Sequence, residues 1–167
     1  MKRTILIISV LLAILAIAAT VVYARGKDEL AKVRSATAKF HKVEAVQAAG
    51  YSLVPDLDHC FTNPGVGAMG FHYIDTASLD TSLDPLKPEA IVYAPDQNGK
   101  LHLAAVEYIV PAAPWDEAGN AQPPELLGQH FHLNEQLGVY VLHAWIWKHN
   151  PSGMFEDWNP NVSCPKE

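Results

Sequence analysis

The chain has 167 residues, 49% of them hydrophobic and 18% charged, with a net charge of −6. That length fits one domain, and that apolar content excludes a wholly disordered chain. Setting aside Lys2 and Arg3 leaves ten basic against eighteen acidic residues with no basic cluster, so the chain lacks the electrostatic footprint of a nucleic-acid binder and has little attraction for an anionic membrane surface.

Lys2 and Arg3 precede a nearly unbroken apolar run over residues 4–22 (TILIISVLLAILAIAATVV), closed by Val22-Tyr23-Ala24. Residues 1–24 therefore read as a signal peptide or an N-terminal transmembrane anchor. The run is close to the roughly 20 residues that span a bilayer, so length does not separate the two. Positive charge ahead of the run places residues 25–167 outside the cytoplasm in either case. The expected location is the periplasm or the extracellular space, with any membrane attachment made by this segment alone. The two cysteines, Cys60 and Cys164, then read as one disulfide. Closing a loop of about 100 residues is worth about 4–5 kcal/mol in the chain-entropy account.

Residues 27–49 read as one amphipathic helix. Leu30, Val33, Phe40 and Val43 recur at helical spacing, and Gly50 stands at the C′ position. Beyond Gly50 the texture changes to short Val-, Ile-, Tyr- and Trp-rich runs punctuated by Pro, Gly, Asn and Asp. The runs are 51–54, 70–75 (GFHYID), 90–94 (AIVYA), 101–110 (LHLAAVEYIV), a weaker 127–133 (LGQHFHL) and 139–148 (VYVLHAWIWK). Residues 96–99 (DQNG) read as a hairpin loop and 111–124 as a longer loop. Residues 149–167 form a turn-rich tail. The expected fold is α+β and mainly β: one helix, then a small antiparallel sheet or barrel over about 51–148.

Alternation along strands makes the chemistry legible. Leu101, Leu103, Ala105, Glu107 and Ile109 share one face of their run, and Val141, His143 and Trp145 share one face of theirs. His72 shares a face with Ile74, and His130 with His132. Three runs thus each point one ionisable residue out of an apolar face: His72, Glu107 and His143. His132 is a fourth candidate, with His130 behind it. A lone buried carboxylate costs several kcal/mol or takes a proton, and a buried imidazole needs partners for both nitrogens. Convergence on a divalent cation answers both demands, and histidines with one carboxylate are a common ligand set. Zinc is the first choice and copper the second. HFHLNE, at residues 130–135, partly matches the cupin His-x-His-and-Glu pattern, but its glutamate comes too early.

The stretches MGFHYID, PEAIVYAP, VEYIVP and LHAWIWKHNPSGMFEDWNPNVSC resemble, as a set, a family of small exported bacterial proteins of uncharacterised activity, over roughly residues 40–164. The resemblance implies bacterial export and places His72, Glu107 and His143 within its motifs. It implies no activity. Two functional readings follow. One is an exported metal-binding protein with a buried His/Glu site, as a metalloenzyme of unnamed substrate or not. The other is a non-catalytic module, structural or small-ligand-binding, in which the same residues form a hydrogen-bond network.

Overall fold

The computed structural model describes residues 26–165, so the apolar N-terminal segment lies outside the described residues. No helix among those described is long and apolar enough to cross a membrane.

The chain is helical over residues 26–37 (α1), tightens into a 3-10 turn at Ala38–Phe40, and resumes as a helix at Val43–Ala48 (α2). The uninterrupted helix expected over 27–49 is therefore broken. The break has a tertiary cause. The buried Tyr93 hydroxyl donates to the Phe40 carbonyl, which a continuous helix would have given to the amide four residues on, and Lys42 is extended. The end of α2 follows the sequence. Gly50 has φ +100°, its amide donates to Gln47 O, and the Tyr51 amide donates to Val46 O, the Schellman pattern that glycine permits.

Eight strands follow: β1 (Phe61–Asn63), β2 (Gly67–Ile74), β3 (Ala90–Pro95), β4 (Leu101–Pro111), β5 (Glu125–Leu126), β6 (Gln129–His130), β7 (His132–Asn134) and β8 (Val139–Ala144). Six form one antiparallel sheet in the order β1-β2-β3-β4-β8-β7, and β5-β6 is a separate hairpin. The sheet curls into a half-barrel without closing. The DQNG loop joins β3 to β4, with the Asp96 side chain accepting from the Asn98 and Lys100 amides.

Four local expectations differ, the first being the 139–148 run, whose strand β8 ends at Ala144. Residues 51–54 make only an isolated bridge, Ser52 to Ile74. The 111–124 loop opens with a short helix, α3 (Ala112–Glu117). The 127–133 run is not one strand. Leu127 and Gly128 both have positive φ and form the tight turn of the β5-β6 hairpin, a conformation leucine does not advertise.

One face of the sheet packs on the helices. Val33, Phe40 and Val46 meet Tyr73, Ile91, Tyr93, Val106, Tyr108, Val110, Leu142 and Ile146. Arg34 Nε donates to Ile146 O (2.7 Å), and Trp147 Nε1 donates to Thr37 Oγ1 (3.1 Å). The opposite face carries Ile74, Ala90, Ile109 and Val141, with Ala68, Val92, Ala105 and Trp145 beyond them. Register slips between Val92 and Tyr93, so that Val92 faces Ala105 and Tyr93 faces Leu103. Ala104 is the extra residue, and its carbonyl accepts from the Trp147 and Lys148 amides. This bulge corrects the alternation of β4. Leu101 and Leu103 belong to the helix-side core, while Ala105, Glu107 and Ile109 keep the opposite face.

The tail crosses that opposite face. Asn159 and Ala68 exchange both backbone hydrogen bonds (3.1 and 3.2 Å). Gly67 permits the approach, because a Cβ there would collide with the Asn159 carbonyl. The Cys60–Cys164 disulfide, spanning 104 residues, ties the end of the tail to the start of β1. Such a bond fits an oxidising, non-cytoplasmic compartment.

Candidate metal centre

Pairing brings the three strand-borne groups together. Glu107 on β4 lies directly across from His143 on β8. His72 on β2 faces Val92 on β3, which faces Ala105, two residues before Glu107. All three occupy the tail-covered face and are buried, at 5% exposure for His72, 8% for Glu107 and 0% for His143. One ligand atom from each lies within 4.8 Å of the others, close enough to hold a metal ion.

The Glu107 carboxylate sits between the two rings. Oε2 is 3.6 Å from His72 Nε2, and Oε1 is 3.7 Å from His143 Nδ1. Hydrogen bonds of this type fall at about 2.7–3.2 Å, so neither contact is one. Two ligands held about 2.1 Å from a zinc ion at a tetrahedral angle stand about 3.4 Å apart; the two contacts here reach different carboxylate oxygens, and one atom from each of the three residues fits within 4.8 Å of the others. Both ring nitrogens of His143 and Nδ1 of His72 are buried without a hydrogen-bond partner. Leaving one such group unsatisfied costs about 1–3 kcal/mol.

The walls are aromatic. The His143 ring stacks on Trp145 (centroids 5.1 Å apart, planes at 17°), and Phe61 stands edge-on to His72 at 5.2 Å. Burial dominates the titration. It lowers His72 to about 4 and His143 well below the usual histidine range, so both rings are neutral, the form that binds metals. Burial also pushes Glu107 up to about 8, with a further push from the charge of Asp157 and relief from His132. Without a cation the carboxyl holds a proton at neutral pH. A divalent ion reverses that preference and gives the imidazoles a partner.

His132 and His130 are not in this group of three. The chain leaves the β5-β6 hairpin and joins the main sheet at the buried Phe131, so the two histidines lie on different sheets. His130 is exposed, 3.9 Å from Glu125. His132, half exposed on β7, pairs with Asp157 Oδ2 at 3.0 Å, and that contact raises its pKa. It stands opposite Val141, two residues from His143. Asp157 is the residue that sequence reasoning missed. The tail has no periodicity, so nothing in its spacing assigns a face to this aspartate.

No protein-family model, curated protein or solved structure matches the chain.

Proposed function

We propose that this is an exported metal-binding protein whose ion is held by His72, Glu107 and His143, with zinc the first choice and copper the second. The observation that carries the reading is the pair of unpartnered His143 nitrogens, fully buried beside a carboxylate too distant for a hydrogen bond. Two neutral imidazoles and one carboxylate are a zinc ligand set that leaves one coordination position for a further ligand. The same contacts argue against a hydrogen-bond network, which would draw these atoms to about 3 Å.

The test is titration of chelator-stripped protein with zinc and copper(II), followed by calorimetry. The reading expects one site per chain, abolished by His143→Ala and weakened by orders of magnitude in Glu107→Gln. Equal uptake by both variants and the parent would reject these ligands.

A further inference from the structure

The tail brings a second acidic group to the sheet face that carries the triad, where its partner His132 stands opposite Val141, two residues from His143. Asp157 has two differently placed oxygens. Oδ2 meets His132 at 3.0 Å towards the surface, whereas Oδ1 is buried and has no hydrogen-bond partner. Its neighbours in the chain are held on both sides. The Glu156 carbonyl accepts from Trp145 Nε1 (2.6 Å) and from Nδ2 of the buried Asn150 (3.3 Å), and the Trp158 carbonyl accepts from the same Nδ2 (3.1 Å). Asn159 is then locked onto β2. Trp145, which fixes Glu156, is also the ring stacked on His143. These bonds hold Asp157 on the face that carries the triad, outside the three residues whose ligand atoms lie within 4.8 Å of one another, so a bound ion would have to draw its buried, unpartnered Oδ1 inward.

We propose that Asp157 is the fourth protein ligand of the same metal ion, with His132 as the positioning residue that holds its other oxygen. The inference rests on the metal-binding reading above. Two carboxylates and two neutral imidazoles exactly offset the charge of a divalent ion, which suits a site from which solvent is largely withdrawn. The set is harder than the triad alone and favours zinc, iron(II) or manganese(II) over copper(I).

The experiment uses the full chain, purified without a metal-affinity tag and stripped with chelator. Zinc and cobalt(II) are titrated into the parent, Asp157→Asn, His132→Gln and His143→Ala proteins. Asp157→Asn is expected to weaken zinc at least tenfold and to alter the visible absorption of the cobalt form. Its metal-free melting temperature should fall only by the small worth of the partly exposed ion pair to His132, since the protonated Glu107 gains nothing from the loss of that charge. His132→Gln, which keeps the carboxylate, is expected to lose less than tenfold. Parental affinity and an unchanged cobalt spectrum in Asp157→Asn, with binding lost in His143→Ala, would overturn Asp157 and leave the triad standing. No binding by the parent would remove both. X-ray absorption of the zinc-loaded parent needs no variant. It should count two imidazoles among four nitrogen and oxygen ligands, and three imidazoles would overturn the proposal.

Discussion

Glu107→Gln separates a metal site from a structural network by the sign of its effect on stability. In the metal-free fold, burial moves the Glu107 carboxyl from its ordinary 4.5 to about 8. A folded-state pKa above the unfolded value means that the folded protein holds a proton the unfolded chain has released. The associated stability is complete below about pH 4.5 and is lost as pH rises towards 8. At pH 7 the gap is about 2.5 pH units, or about 3 kcal/mol at about 1.4 kcal/mol per unit. Glutamine has no proton to take up and fills the same space. No hydrogen bond to His72 or His143 is sacrificed, since the carboxylate makes none. In chelator at pH 7, Glu107→Gln should therefore be more stable by up to about 3 kcal/mol, roughly 10 °C in melting temperature, and nearly equal to the parent at pH 4.5. With zinc at a hundred times the dissociation constant the parent gains about 2.7 kcal/mol, so the advantage shrinks or reverses. The assay is thermal and denaturant unfolding with and without zinc at the two pH values. A metal-free variant several kcal/mol less stable than the parent at pH 7 would refute the reasoning, because only a carboxylate that supports the histidines gives that result.

Glu89 offers an independent pH test. It is buried, accepts from the Ile109 amide at 3.1 Å, and burial lifts it to about 7. On a Glu107→Gln background, adding Glu89→Gln should gain stability relative to that background as pH rises from about 4.5 to 7, as equilibrium unfolding across pH would record; the opposite pH dependence of the buried, neutral His72 and His143 is common to both proteins and cancels in the difference. Replacing both Cys60 and Cys164 by serine should cost about 4–5 kcal/mol in the chain-entropy account; since Cys164 also anchors the tail that carries Asp157, zinc affinity should fall with it, and unchanged affinity would show the tail position to be independent of the disulfide. Asn150→Ala removes the donor shared by the Glu156 and Trp158 carbonyls and should cost about 2–3 kcal/mol, with faster amide exchange confined first to residues 150–160.

The sheet was legible where its residues alternate. Val141 and His143 keep one face of β8, and Ala105, Glu107 and Ile109 keep one face of β4, so apolar neighbours on either side of an ionisable residue reported its burial. Legibility failed where the backbone departs from the regular strand without a compositional mark. The bulge at Ala104 returned Leu101 and Leu103 to the helix side. Leu127 adopts a left-handed conformation that sequence reserves for glycine or asparagine, and so a single run became a hairpin and a separate strand, parting His130 from His132. The helix break after Phe40 depends on Tyr93, 53 residues away, which no local pattern encodes. Asp157 was out of reach for the same reason. Its position comes from Asn150, Trp145 and Asn159 acting together, each unremarkable in a turn-rich tail.

The central claim is that His72, Glu107 and His143 hold a metal ion. Elemental mass spectrometry of the protein, exported into an oxidising compartment and purified without a metal-affinity tag, tests it most directly. The account predicts about one equivalent of a transition metal per chain, zinc first, and a far smaller content in His143→Ala prepared alongside. A metal-free parent that takes up none of zinc, copper, iron or manganese on incubation would contradict it.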